Sequence, residues 1–140
     1  MSINTSVAGS GAASNASTSI LLGRALLAAI FLLSGFGKLT AIAGTAGYFG
    51  NLGLPLPTVT AIVVGLIELL GGLAILVGFQ TRIVAWVLAI FTVATGLVAH
   101  MNWADQMQMI NFLKNLAIAG GFIALASSGA GAYSVDAKRG

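Results

Sequence analysis

The chain has 140 residues, 58% hydrophobic and 6% charged, with a mean hydropathy of +1.02. Soluble domains carry about 25% charged residues, so a surface facing water on all sides is excluded and the bilayer becomes the solvent. The net charge of +3 comes from six cations spread along the chain, with no more than two adjacent, which excludes the clustered basic face of a nucleic-acid binder. The absence of cysteine excludes disulfides and thiolate chemistry within this chain.

Residues 1–18 are rich in Ser, Ala, Gly, Asn and Thr, with no charged side chain, and read as a flexible tail. The tail lacks a basic n-region and the apolar run behind it is too long for an h-region, so cleavage is not expected. A membrane-crossing helix needs roughly 20 mostly apolar residues. Four segments meet this: about Ile20 to Leu39, Val59 to Val77, Ile83 to Ala99 and Ile110 to Ala126. The expected architecture is an all-α integral membrane four-helix bundle over residues 19–132, followed by a short cytoplasmic tail over 133–140.

Between the first two spans, "TAIAGTAGYFGNLGLPLPT" reads as a long loop broken by glycines and by Pro55 and Pro57. "GFQTR" is a tight turn that makes the second and third spans antiparallel neighbours. "HMNWADQMQM" brings Trp103 to an interface, with His100 and Asp105 beside it. Arg24, Arg82, Lys138 and Arg139 fall at the end that holds both termini, against Lys38 and Lys114 at the other. The positive-inside rule therefore puts both termini in the cytoplasm.

Residues three, four and seven apart share a helix face. The first span aligns Arg24, Ala28, Phe31, Gly35 and Lys38. The second clusters Gly65, Glu68, Gly71 and Gly72; the third aligns Ala85, Ala89, Val93, Gly96 and His100. The fourth aligns Asn111, Lys114, Ile118 and Gly121, with Asn115 at the edge. Each span thus carries one small and polar stripe, and the four stripes line a common interior. An ionisable group at this depth costs about 2.5–3.5 kcal/mol and usually faces a partner inside the bundle. Glu68 is near the middle of its span, so it is either paired with a cation or protonated, and Arg24 is the expected partner. Lys38, His100, Asp105 and Lys114 form a second polar group at the opposite end. Against this stands a plainer reading, in which Lys38, His100 and Lys114 reach into the headgroups, Arg24 anchors the cytoplasmic edge and Glu68 serves packing alone.

A single histidine excludes a bis-histidine haem, and no helix offers the spaced ligands of a metal site. There is no nucleophile beside a base and no P-loop glycine pattern. Any catalysis would need an external cofactor or a partner subunit.

"GRALLAAIFLLSGFGKLT", "LPLPTVTAIVVGLIELLGGLAILVGFQTRIVAWVLAI" and "INFLKNLAIAGGFIALASSGAGAYSVDAK" occur in this order over about residues 20–137. They resemble the three blocks of the DoxX family: Arg with Ser-Gly and Gly-Lys, then prolines with Glu-Leu-Leu-Gly and Gly-x-x-Thr-Arg, then a glycine-rich close with Ser-x-Asp. The resemblance implies a four-helix bacterial inner-membrane protein. Such proteins are named through similarity to a small subunit of an archaeal thiosulfate:quinone oxidoreductase, and some are associated with redox or oxidative-stress complexes. Arg24, Lys38, Glu68, Lys114 and Asn115 match the family's recurring polar positions. The leading expectation is a membrane subunit of a quinone-linked complex, with an oxidoreductase partner and His100 completing the intramembrane polar cluster. A small transporter or lipid-binding bundle and a scaffold for soluble partners are the alternatives, and the glycine faces permit a homo-oligomer.

Overall fold

The computed structural model describes the backbone of residues 2–139 and the side chains of residues 15–139. Among the described residues six helices follow in order: α1 (Ser2–Thr40), α2 (Ile42–Asn51), α3 (Pro57–Val77), α4 (Thr81–Ala99), α5 (Gln106–Ser128) and α6 (Val135–Arg139). Most of the tail expected over residues 1–18 lies outside the residues with described side chains. The Asn15–Thr40 part of α1, with α3, α4 and α5, is long and apolar enough to cross a membrane. At 1.5 Å per residue α3 is about 31 Å long, close to the ~30 Å hydrocarbon thickness.

The helices are arranged by the solvent they avoid. Large apolar side chains point outward, among them Leu26, Leu33, Phe36, Leu70, Ile90 and Leu113. Much of the interior is small or polar: Ala28, Gly35, Ala61, Gly65, Glu68, Gly72, Ala85, Ala89, Gly96 and Ala119 are all buried. In a bilayer apolar burial drives little, and close backbone approach takes its place. A Cβ on Gly35 would lie 2.6 Å from the Leu69 nitrogen and 2.8 Å from the Gly65 oxygen, so α1 and α3 touch backbone to backbone. Phe122 of α5 meets Phe31 of α1 edge-to-face, with centroids 5.4 Å apart, and closes the centre of the bundle with Ile75 and Leu88.

The turn between α3 and α4 is as tight as the sequence implies. Gly78 takes the left-handed conformation, φ 73°, that ends α3, and Gln80 follows at φ 48°. Helix α5 begins at Gln106, ahead of its apolar run, because the Asp105 carboxylate accepts a bond from the Met107 N–H at 2.9 Å and caps it.

Two expectations are corrected here. The first connection is not an open loop. Ala41 leaves helical geometry at φ −137°, ψ 53°, and the chain then forms α2, which lies on α3 with Phe49 buried. Packing of Phe49 outweighs the helix-weakening glycines. The stripe on α5 is also one residue out. Its inner face carries Asn115, Ala119, Phe122 and Ala126, while Lys114 is exposed.

Candidate functional site

Helix α1 packs most extensively on α3 and α4 on α5, with slighter contact between the two pairs. Away from the termini the pairs part to leave a partly open cavity of ≈ 380 Å³. Its walls are mainly apolar, with Phe31, Val64, Phe91 and Ile118 among them, and Tyr48 and Phe49 of α2 close one side with Leu52 just beyond that helix. Four of the six polar residues expected in the interior line it: Lys38, Glu68, His100 and Asn115.

On the α1/α3 wall, Lys38 Nζ lies 3.0 Å from Glu68 Oε1 and 3.1 Å from Oε2, and donates to Ser34 Oγ at 2.8 Å. The Glu68 side chain is 8% exposed and that of Lys38 24%, so the carboxylate is the deeper member. The pair is electrically neutral and sits where an isolated charge would be expensive. On the α4/α5 wall, Asn115 Nδ2 donates to the Thr92 carbonyl at 3.1 Å and to Thr95 Oγ1 at 3.4 Å. Thr92 Oγ1 is buried with no hydrogen-bond partner among the described residues. At the cavity's end His100 Nδ1 meets Gln108 Oε1 at 3.0 Å, and the His100 carbonyl accepts from Trp103 Nε1 at 3.1 Å.

The expected Arg24–Glu68 pair does not form. Gly35 seats α1 against Gly65 and Leu69 of the antiparallel α3, which brings Glu68 level with the end of α1 that carries Lys38. Arg24 is 1% exposed and lies more than two turns away, where Nε and Nη2 donate to the Ile75 and Leu76 carbonyls at 2.9 and 2.7 Å. Its Nη1 donates to the Ala130 and Tyr133 carbonyls at 2.9 and 2.8 Å. One guanidinium thus satisfies the C-terminal carbonyls of α3 and ties the segment behind α5 to them. The second polar group expected from Lys38, His100, Asp105 and Lys114 does not assemble either. Lys38 turns inward to Glu68, Asp105 caps α5, and Lys114 faces outward.

The end that holds the termini is fixed by a contact that sequence patterns did not reveal. The Asp136 carboxylate accepts the N–H groups of Gln80 and Thr81 at 2.7 and 2.9 Å, at the start of α4. Burial works against the charged form, but those two bonds, the nearby Thr81 hydroxyl and Arg139 outweigh it and hold Asp136 below the usual carboxylate range. The Thr81 hydroxyl makes no well-formed hydrogen bond of its own. Arg82 donates to the Ala126 and Ser127 carbonyls at 3.0 and 2.8 Å, repeating on α5 what Arg24 does on α3. The signal was present in Thr-Arg of the turn and Ser-x-Asp of the close, but nothing in the spacing of these short strings joins them. Among the described residues no group of three or more His, Asp or Glu side chains gathers as a metal site.

A family model for DoxX matches residues 19–101. The chain belongs to the DoxX family. It is 44% identical over 120 residues to the inner membrane protein YqjF of Escherichia coli K12, covering 84% of this chain and 88% of that one. It is 36% identical over 124 residues to the inner membrane protein YphA of the same organism, covering 85% and 89%. A 70-residue stretch is 39% identical to a Bacillus subtilis 168 protein named "Putative oxidoreductase CatD", covering about half of each, 50% and 51%. No solved structure matches the chain. As a DoxX protein with inner-membrane relatives and, among the described residues, four helices long and apolar enough to cross a membrane, the chain is a multi-pass inner-membrane protein in contact with lipid.

Proposed function

We propose that this DoxX protein is the membrane subunit of a quinone-linked redox complex, and that the cavity between its helix pairs takes the ring of the quinone. The observation that carries the reading is the Lys38–Glu68 pair on the wall of an otherwise apolar cavity of ≈ 380 Å³. Small-molecule sites of about 300–1,000 Å³ have this composition, apolar walls with a few convergent polar groups. The residues fit such a ring: Phe31, Phe91 and Ile118 offer it apolar surface, while Ser34, Lys38, Glu68 and Asn115 supply polar groups for its oxygen substituents, whether carbonyl or hydroxyl. A bound quinone supplies two-electron chemistry coupled to two protons, and an oxidoreductase partner exchanges the electrons. Glu68 holds or passes a proton, and Lys38 orients it between turnovers. The name of the Bacillus subtilis relative is consistent with this assignment. The four cations at the end that holds the termini favour a cytoplasmic position for both, and in that orientation the cavity opens toward the outer half of the membrane.

The test is gentle solubilisation of native membranes, then mass spectrometry of the quinones and proteins that co-purify. Quinone with an oxidoreductase partner is the expected result, and Glu68→Gln lowers quinone-dependent activity while insertion is unchanged. Recovery of the intact chain with neither companion, or full activity in an assembled Glu68→Gln protein, refutes the reading.

A further inference from the structure

The hydrogen-bond inventory of the cavity distinguishes the two redox forms of such a ring. We infer that the site is built for the reduced, dihydroxy form, a quinol whose O–H groups donate to Glu68 on one wall and Asn115 on the other. This inference rests on the quinone-linked reading and adds to it the form that is held.

A quinone ring offers acceptors only, whereas its quinol offers two O–H donors. All but one of the dedicated donor hydrogens facing the cavity are already spent. The ammonium of Lys38 has three hydrogens; one goes to Ser34 Oγ and one to the Glu68 carboxylate, which leaves a single hydrogen uncommitted. Asn115 uses both amide hydrogens on the Thr92 carbonyl and Thr95 Oγ1. A carbonyl cannot donate, so the atom facing Thr92 O must be Nδ2, and the amide orientation is fixed by its surroundings. The dedicated acceptors are not spent. Each Glu68 oxygen keeps lone-pair capacity beyond its bond to Lys38, and Asn115 Oδ1 has no partner among the described residues. The Ser34 and Thr92 hydroxyls either donate or accept, so they serve both forms alike.

The two unspent acceptors lie on opposite helix pairs, α3 and α5, so a ring with hydroxyls at opposite ends bridges the pairs where their own contact is slight. A quinone in the same place leaves Glu68 and Asn115 Oδ1 facing its own acceptor oxygens. That juxtaposition is repulsive, and burying polar groups unpaired is costly.

The experiment uses the full chain in phospholipid nanodiscs, immobilised, with empty nanodiscs as the blank. Retention of a short-chain 1,4-benzoquinone is compared with that of the same ring kept reduced by dithionite without oxygen. The quinol is expected to be held about tenfold more tightly, the worth of one net hydrogen bond. Glu68→Gln replaces an acceptor with a donor and lowers the quinol-to-quinone ratio severalfold. Asn115→Leu removes the other acceptor without touching the ion pair and does the same. Gly37→Ala, at a position with nothing within 4 Å, leaves the ratio unchanged. A ratio is insensitive to the loss of folded protein, so a purely structural role for either residue does not move it. Quinone held as tightly as quinol, or a ratio that neither variant moves, overturns the inference and leaves the quinone-linked reading standing. Retention of neither form overturns both.

Discussion

Replacing Arg24 with methionine is the most informative single perturbation of this bundle. Arg24 is 1% exposed and donates to four carbonyls, those of Ile75, Leu76, Ala130 and Tyr133. Methionine fills much of the same space but donates nothing. The bonds to Ile75 and Ala130 are buried, and a buried acceptor left unmade costs about 1–3 kcal/mol. The carbonyls of Leu76 and Tyr133 are only partly buried and recover other partners, while relief from burying a guanidinium offsets part of the loss. The expected destabilisation is about 2–5 kcal/mol, concentrated at the end that holds the termini. Two assays read it. Unfolding in mixed micelles with rising SDS gives the global change. The chain has no cysteine, so a single Ser134→Cys reports locally through thiol labelling, because Ser134 is 6% exposed in the segment Arg24 holds. Labelling should be slow in the parent background and fast in the Arg24→Met protein. Arg24→Lys should recover only part of the loss, since three hydrogens on one nitrogen cannot reach carbonyls spread around a planar fork. A midpoint within about 0.5 kcal/mol of the parent, of the size expected for changes away from such features, together with unchanged labelling would refute the reasoning.

Further outcomes follow from other contacts. Gly35→Ala drives a Cβ into the Leu69 and Gly65 backbone and should lower the thermal midpoint sharply, whereas Gly37→Ala meets nothing and should hold or raise it. Lys38→Met leaves the Glu68 carboxylate buried without its partner and should cost about 3–5 kcal/mol in SDS unfolding. Adding Glu68→Gln to Lys38→Met should restore part of that loss, and a strictly additive pair would argue against the ion pair. The Asp136 carboxyl is held below its usual range by the start of α4, so its contribution is present above the ordinary value of about 3.9 and is lost as pH falls through the lowered one. Labelling of Ser134→Cys by dithiodipyridine, which still reacts with thiols in acid, should therefore accelerate below about pH 4, and Asp136→Asn should remove that dependence.

Hydropathy and length alone were enough to set the bilayer as solvent, the four spans and the antiparallel turn at "GFQTR". Helical spacing identified the inner faces of α1, α3 and α4, because only one stripe on each is small or polar. On α5 it failed by one residue. Lys114 and Asn115 are adjacent polar residues about 100° apart on the helix, and the sequence does not say which of them faces in. The partner of Glu68 failed for a related reason. Both Arg24 and Lys38 lie on the inner stripe of α1, and the choice between them depends on the level at which α1 meets α3. That level is set by Gly35 resting on the Gly65 and Leu69 backbone, a three-dimensional fit that a pattern of small residues permits at several registers. The Asp136 contact with Gln80 and Thr81 joins residues about 55 apart, and α2 lies against α3 with Phe49 buried, a contact its glycine-rich string does not announce. Periodicity records which way a side chain faces, and only the packed bundle decides what it faces.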